Sequence, residues 1–124
     1  MKVCYSDRYA VPLPSTHPFP MPKYRLVRDR LLAEGTLTHW HLIEPALAAD
    51  ADILLVHTQD YWFRCKHGNL TAAEVRRIGF PWSVGLVHRS QASVQGTLLA
   101  AKNALRDGIA SNLAGGTHHA YADH

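Results

Sequence analysis

The stretch Ile109-Ala-Ser-Asn-Leu-Ala-Gly-Gly-Thr-His-His119 decides the predicted fold, because it places a strand directly before a pair of glycines and a pair of histidines. Residues 109–113 have the pattern of a strand buried in a sheet. The two glycines that follow allow the backbone to turn tightly or to approach a ligand closely. In parallel sheets, functional residues collect beyond the carboxyl ends of the strands. His118 and His119 are therefore the first candidates for a functional role.

The remaining sequence predicts strands that alternate with helices. Residues 2–5, 37–43 and 53–56 are predicted to be strands, and Ile53-Leu-Leu-Val56 has the continuous apolar character of a strand buried on both faces. Helices are predicted over residues 23–34, 61–66, 71–78 and 84–106. The first helix is expected to bury Leu26, Val27, Leu31 and Leu32, and the last to bury Val87, Val94, Leu98, Ala101 and Leu105. This order predicts an α/β fold in which helices cover both faces of a parallel sheet.

Composition and charge exclude several classes of protein. The 124 residues are 47% hydrophobic and 19% charged, which indicates a single globular domain. No aliphatic run exceeds the four residues 53–56, whereas a membrane span needs about 20. The net charge of +3 comes without a clustered basic stripe, so no specific nucleic-acid partner is expected. Cys4 and Cys65 are predicted to be free thiols, and the N-terminus lacks a signal-peptide pattern, which predicts a cytoplasmic location.

The histidines and a proline-rich loop are the features that suggest chemistry. Imidazole titrates near neutral pH, so His118 and His119 can hold and transfer a proton; the alternative is that they are loop residues with structural hydrogen bonds. His39 and His41 would share one side of a strand as a candidate metal pair, but no third ligand is evident nearby. The loop His17-Pro-Phe-Pro-Met-Pro22 is either a hydrophobic rim of a substrate channel or a packed connector. The sequence contains no P-loop, dinucleotide-binding glycine motif or nucleophile elbow.

Three segments, in chain order, resemble one known family. They are His17-Pro-Phe-Pro-Met-Pro-Lys-Tyr-Arg25, Val56-His-Thr-Gln-Asp-Tyr61, and a stretch from Gln95 to Ala120 that ends in Gly-Gly-Thr-His-His-Ala. Together they resemble the histone deacetylase superfamily, in particular its bacterial class IV-like histone deacetylase-like proteins. The glycine–histidine motif is the most specific of the three.

The resemblance implies a zinc-dependent deacylase with an arginase-like, three-layer α/β/α fold. In that family, zinc polarises the amide carbonyl of an acyl-lysine or acyl-polyamine substrate and lowers the pKa of its bound water. By the same resemblance, His119 is the general base and then the general acid, and His118 tunes it. The resemblance places the rim of the substrate channel at His17, Pro18, Phe19 and Pro20.

The same resemblance predicts that residues 1–124 are one incomplete domain. The family's zinc ligands follow the tandem histidines, so we expect this chain to stop before them, to bind no metal and to be inactive alone. The strand at residues 109–113 would then have an unpaired edge, which the C-terminal part of a longer protein or an oligomer would cover.

Two other interpretations stay open. One is a non-catalytic α/β module, or an interaction remnant, that performs no hydrolysis. The other is a histidine-based metal-binding protein, which would use His39, His41, His118, His119 and His124.

Overall fold

Three short parallel strands form the sheet around which the chain is organised. They are β1 (Lys2–Cys4), β2 (Leu42–Ile43) and β3 (Ala110–Asn112), in the order β2-β1-β3. Val3 of the central strand pairs with Leu42 on one side and Ser111 on the other. The structure is a computed structural model, and it describes residues 1–115 and 121–124. Parallel pairing places the carboxyl ends of all three strands at one edge of the sheet, and the predicted α/β class is confirmed.

Five α-helices accompany the sheet in the described residues: α1 (Lys23–Ala33), α2 (Asp50–Ile53), α3 (Gln59–His67), α4 (Ala72–Ile78) and α5 (Val84–Asp107). Helices α4 and α5 begin close to the predicted positions, whereas α3 begins two residues before its predicted start at residue 61. The side chains of Thr58, Thr71 and Ser83 each accept a hydrogen bond from the backbone N–H three residues further on. Gly68 and Gly79 end α3 and α4 in the left-handed conformation.

Helix α5 is the element that holds the chain together. It packs against both β1 and β3. Leu86 and Ala92 belong to a core with Tyr9 and Tyr24, whereas Val87 belongs to a second core with Trp62. The helix therefore joins the strand layer to the helices α2 and α3. None of the helices in the described residues is long and apolar enough to cross a membrane.

The prediction of a buried strand at residues 53–56 is wrong. Ile53 is the last residue of α2, and the backbone N–H groups of Val56 and His57 donate to its carbonyl oxygen at 3.1 and 3.0 Å. Leu55 and Val56 are 83% and 54% exposed. Asp50 and Asp52 in the first turn favour a helix start, and a short apolar run cannot by itself distinguish a strand from a helix.

The predicted buried face of α5 is also wrong, apart from Val87, which is buried, and Leu98, which is half-buried. Val94 is 38% exposed and Leu105 is 91% exposed. The residues that α5 buries are Leu86, Val87, Arg89, Gln91, Ala92, Ser93 and Gly96. Polar members are tolerated there because they are hydrogen-bonded: Gln91 Nε2 donates to the Ala48 carbonyl at 3.0 Å, and Ser93 Oγ donates to the Ala114 carbonyl at 2.9 Å.

Two smaller corrections concern α1 and β2. On the predicted apolar face of α1, Leu26 and Val27 are 56% and 46% exposed and Leu31 and Leu32 are half-buried. The residue that α1 buries is Tyr24. The strand predicted over residues 37–43 is reduced to Leu42–Ile43, because His39–His41 form a 3-10 turn. The strand predicted at residues 109–113 forms as β3, but Ile109 is 61% exposed.

Candidate functional site

The carboxyl edge of the sheet leads into the segment that carries the tandem histidines. Leu113, just after β3, donates its N–H to the Cys4 carbonyl at 3.0 Å. Ala114 follows and is fully buried, with its N–H directed to Asn112 Oδ1 and its carbonyl accepting from Ser93 Oγ. His118 and His119 lie outside the described residues, so their catalytic role stays a prediction.

The residues beyond the tandem histidines are tied to α3. The backbone N–H of Thr58, the N-cap of α3, donates to the Ala122 carbonyl at 2.7 Å. Ala114 is fixed to α5 and Ala122 to the start of α3. The described residues on the two sides of the histidine pair are therefore held by two helices that contact each other, α5 and α3.

The proline-rich loop is packed against the connection between α4 and α5. The His17 ring stacks on Phe80 with centroids 5.2 Å apart, and Phe19 meets the same ring edge-on at 5.0 Å. The Phe19 N–H donates to His17 Nδ1 at 3.2 Å, and His17 Nε2 lies 2.8 Å from the Gly79 carbonyl. Since Nδ1 accepts, Nε2 carries the proton and donates to that carbonyl.

The loop has both a packed and an accessible side. His17 and Phe19 are half-buried, whereas Pro18 and Pro20 are exposed. His17 and Phe19 therefore fit the interpretation of this loop as a packed connector. The role of His17, Pro18, Phe19 and Pro20 as a channel rim stays a prediction.

Arg89 is a buried cation that the sequence analysis missed. Its side chain is inside the first core, and the residue is only 6% exposed. Nε donates to the Tyr9 carbonyl at 3.0 Å, and Nη2 donates to the Tyr24 hydroxyl at 2.8 Å. The guanidinium carbon lies 5.5–5.8 Å from the ring centroids of Phe19, Tyr24 and Phe80. Within the described residues, no carboxylate forms an ion pair with it.

One signal in the sequence points to the burial of Arg89. Leu86, Arg89, Ala92 and Gly96 recur at spacings of three and four, which places them on one face of α5. A search for large apolar residues finds only Leu86 among these four, because Ala92 and Gly96 are small. A face of small residues is typical of a helix that approaches its neighbours closely.

The described residues do not fit a zinc ion. No three of their His, Cys, Asp and Glu side chains come together in a group able to hold a metal. His41 Nδ1 instead accepts the Thr38 N–H at 2.9 Å, which caps the 3-10 turn, so the predicted pair of histidines on one side of a strand is wrong. Of the five histidines in the metal-binding interpretation, His118 and His119 lie outside the described residues.

Burial raises the pKa of the thiols and of the tyrosine hydroxyl groups in the core, which makes them weaker acids than in water. Cys4 and Cys65 are free, and burial raises the pKa of both thiols. Burial, together with the hydrogen bond that its hydroxyl donates to Asp7, raises the pKa of Tyr5 to about 12. These groups are therefore protonated at neutral pH, and neither thiol has the environment of an activated nucleophile.

The parallel sheet covered by helices defines an α/β protein, and in the sequence a glycine pair and a histidine pair follow β3. Residues 17–124 match the sequence model of the family described as "Histone deacetylase domain", and the chain belongs to the histone deacetylase family. The predicted family resemblance is thereby confirmed.

Curated relatives agree with this family. An uncharacterized protein of Picosynechococcus sp. is 45% identical over 119 residues, which are 96% of this chain and 40% of that protein. Histone deacetylase 2 of Arabidopsis thaliana is 29% identical over 99% of this chain and 34% of its own length. The acetoin utilization protein AcuC of Staphylococcus xylosus is 29% identical over 83% of this chain and 29% of its own length. The chain thus spans well under half the length of these relatives.

Proposed function

We propose that residues 1–124 are the N-terminal part of a histone-deacetylase-like domain in a protein that hydrolyses acyl amides. The observation that carries the proposal is the position of Gly115-Gly-Thr-His-His119, which follows β3 directly and lies within the residues that match the family. The proposed substrate class is an acyl-lysine or an acyl-polyamine. The proposed rim of its channel is the loop with His17, Pro18, Phe19 and Pro20.

The proposed chemistry is proton transfer by the histidine pair. His119 takes a proton from the attacking water as the carbon–oxygen bond forms. It returns the proton to the amine nitrogen as the carbon–nitrogen bond breaks, so that a carboxylic acid and a free amine leave. His118 tunes His119 and, when charged, stabilises the negative charge that develops on the carbonyl oxygen.

Zinc dependence is part of the proposal, but the described residues supply no site for the ion. We place its ligands outside residues 1–124, in keeping with the longer relatives. The 124-residue chain alone is accordingly proposed to be inactive. A cytoplasmic location is also proposed, and it is supported by the two cysteines, which are free thiols.

An activity assay tests the proposal. The 124-residue chain and a longer protein that includes the downstream coding sequence are each incubated with zinc and a fluorogenic acetyl-lysine amide. We expect no turnover from the short chain and turnover from the long one, which a chelator abolishes. Turnover by the short chain would refute the proposal that it is inactive alone. If the longer protein hydrolysed neither the acetyl-lysine amide nor an acyl-polyamine amide, the proposed deacylase function would be refuted.

A non-catalytic module is the second candidate function, and the lack of a three-ligand group among residues 1–115 and 121–124 favours it. Within the described chain, β3 pairs only with β1, which leaves its other edge for a partner. That partner is proposed to be the C-terminal part of a longer protein or a second copy. Mass measurement by light scattering across concentrations separates them, since only self-association depends on the concentration of the chain.

A further inference from the structure

Three exposed cations lie near the place where the proline-rich loop meets the end of α4. Lys23 directly follows the loop, and its ammonium nitrogen lies 4.4 Å from the centroid of the Phe19 ring. Arg76 and Arg77 are in the last turn of α4, just before Gly79, whose carbonyl accepts a hydrogen bond from the loop at 2.8 Å. All three cations are thus within one helical turn of this junction, and we call them the basic surface.

The charges of the basic surface are not compensated in the described part of the chain. All three side chains are exposed, and none forms an ion pair with a carboxylate of residues 1–115 or 121–124. Glu74, the acidic residue of α4, is paired with Arg64 instead, at 2.7 Å. The basic surface therefore keeps its positive charge available to a ligand.

The position of Lys23 is not what helix stability favours. Cations stabilise the C-terminal turn of a helix, which accounts for Arg76 and Arg77 in α4. Lys23, however, is the first residue of α1, where the helix dipole disfavours a positive charge, and the first turn of α1 contains no acidic residue. A requirement for positive charge at the surface explains this placement, whereas helix formation does not.

Arg77 also lies near the residues that follow the histidine pair in the chain. The hydrogen bond with His124 lowers the pKa of Asp123, and the positive charge of Arg77 lowers it further. Asp123 is 75% exposed and is paired with His124 at 2.7 Å. One carboxylate near three cations leaves the surface positive, between the proposed channel rim and the residues beyond the histidine pair.

We propose that the basic surface selects substrates by charge, and that it favours an acyl-lysine within an acidic peptide over an acyl-polyamine. The inference rests on the proposed amide hydrolysis and chooses between its two substrate classes. The protonated nitrogens of a polyamine are repelled by the three cations, whereas Asp and Glu on either side of an acyl-lysine are attracted. Because the cations are exposed, salt screens the effect.

Hydrolysis and binding by the zinc-loaded longer protein test the inference. The substrates are an acetyl-polyamine and two acetyl-lysine peptides, one flanked by Asp and Glu and the other by Lys and Arg. At low ionic strength we expect kcat/KM for the acidic peptide to exceed that for the basic peptide and the polyamine at least about tenfold. In about 1 M salt the difference should disappear. Equal values at low ionic strength would overturn the proposal.

A binding measurement separates this inference from the proposed hydrolysis. Fluorescence anisotropy compares the affinities of the two labelled peptides without any turnover. Tighter binding of the acidic peptide by a protein that hydrolyses no substrate would support the basic surface and refute the deacylase. Hydrolysis of both peptides at one rate, with equal affinities, would support the deacylase and refute the selection by charge.

Matched variants assign the effect to these side chains. In Lys23→Glu/Arg77→Glu two of the three charges are reversed, so the preference is expected to change to the basic peptide. Lys102→Glu is the control, because Lys102 is exposed and about 27 Å along α5 from Val84, well beyond the screening length at physiological salt. It should keep the preference of the parent. A tenfold preference for the acidic peptide in a folded Lys23→Glu/Arg77→Glu protein would refute the assignment.

Discussion

Gly96 and Tyr9 are so close that a Cβ at position 96 would lie 2.5 Å from the Tyr9 hydroxyl oxygen. Tyr9 is completely buried, and its hydroxyl donates to Asn112 Oδ1 at 2.8 Å. Asn112 Nδ2 in turn donates to the Ser93 carbonyl of α5 at 3.0 Å. This contact sets the distance between α5 and the sheet, and with it the position of the strand that leads to the histidine pair.

Gly96→Ala is predicted to destabilise the chain, although alanine is the better helix former. The added methyl group would collide with Tyr9 and Asn112, and such overpacking typically costs about 1–3 kcal/mol. Gly85→Ala in the same helix is the control, since its nearest neighbour would be Val11 at an ordinary 3.5 Å. We expect Gly85→Ala to stay within about 1 kcal/mol of the parent by urea unfolding. Equal free energies of unfolding for the two variants would contradict the close contact.

Tyr24→Phe is predicted to cost about 1–3 kcal/mol, because it leaves Arg89 Nη2 buried without its acceptor. The ring and its packing with Phe19 stay in place, so the change isolates the hydroxyl. Tyr121→Phe serves as the control at a residue that is 53% exposed, and we expect no measurable effect from it. Equal stability of Tyr24→Phe and the parent in chemical denaturation would show that the hydrogen bond contributes nothing.

The Arg64–Glu74 pair is predicted to make stability depend on acid pH. Hydrogen bonds from Arg64 and from the N–H and hydroxyl of Thr71 lower the pKa of Glu74 to about 2. A carboxyl whose pKa is lowered on folding stabilises the fold above its ordinary pKa of about 4.3, and that stability is lost as the pH falls towards 2. The melting temperature of Glu74→Gln should therefore lie below that of the parent at pH 6, and the difference should shrink between about pH 4.5 and 2.

Asp60→Asn is the matched control for that experiment, because Asp60 also pairs with Arg64 but is 79% exposed. We expect a smaller change in melting temperature at pH 6, since exposed ion pairs contribute little. A difference between parent and Glu74→Gln that stays constant down to pH 2 would argue against the proposed cause.

Both cysteines are predicted to react slowly with a thiol reagent in the folded chain. Cys4 is 1% exposed, and burial raises the pKa of both thiols. Labelling with a chromogenic disulfide at pH 7.5 should become much faster in denaturant and then account for both thiols. Cys65→Ser identifies which thiol reacts first, and the half-buried Cys65 is expected to be that one. Rapid modification of Cys4 in the native chain would contradict its placement in β1.

The sequence was informative where local chemistry determines structure. Thr71 with Glu74 and Ser83 before a long helix predict the starts of α4 and α5, because capping depends on a few neighbouring atoms. The strand at residues 53–56 was mispredicted, because the choice between strand and helix depends on distant pairing that a short apolar run does not encode. The strand predicted at residues 109–113 was also found, as β3.

Arg89 was not predictable in the same way. Its burial depends on Tyr9 and Tyr24, which are 80 and 65 residues away in the chain. Only the folded arrangement places a neutral carbonyl and a phenol within reach of its guanidinium. The side chains that complete the proposed reaction, His118 and His119, were named from a local motif, and their role awaits a direct test.

That test is the rate of amide hydrolysis by the zinc-loaded longer protein with His119 replaced by alanine. Loss of a general acid–base catalyst lowers kcat/KM by about 10²–10⁴-fold, and we predict a decrease of that size with the melting temperature unchanged. His88→Ala, at an exposed residue of α5, should hydrolyse the acetyl-lysine amide at the parent rate. A His119→Ala protein that matches the parent would contradict the proposal that the histidine pair transfers the proton.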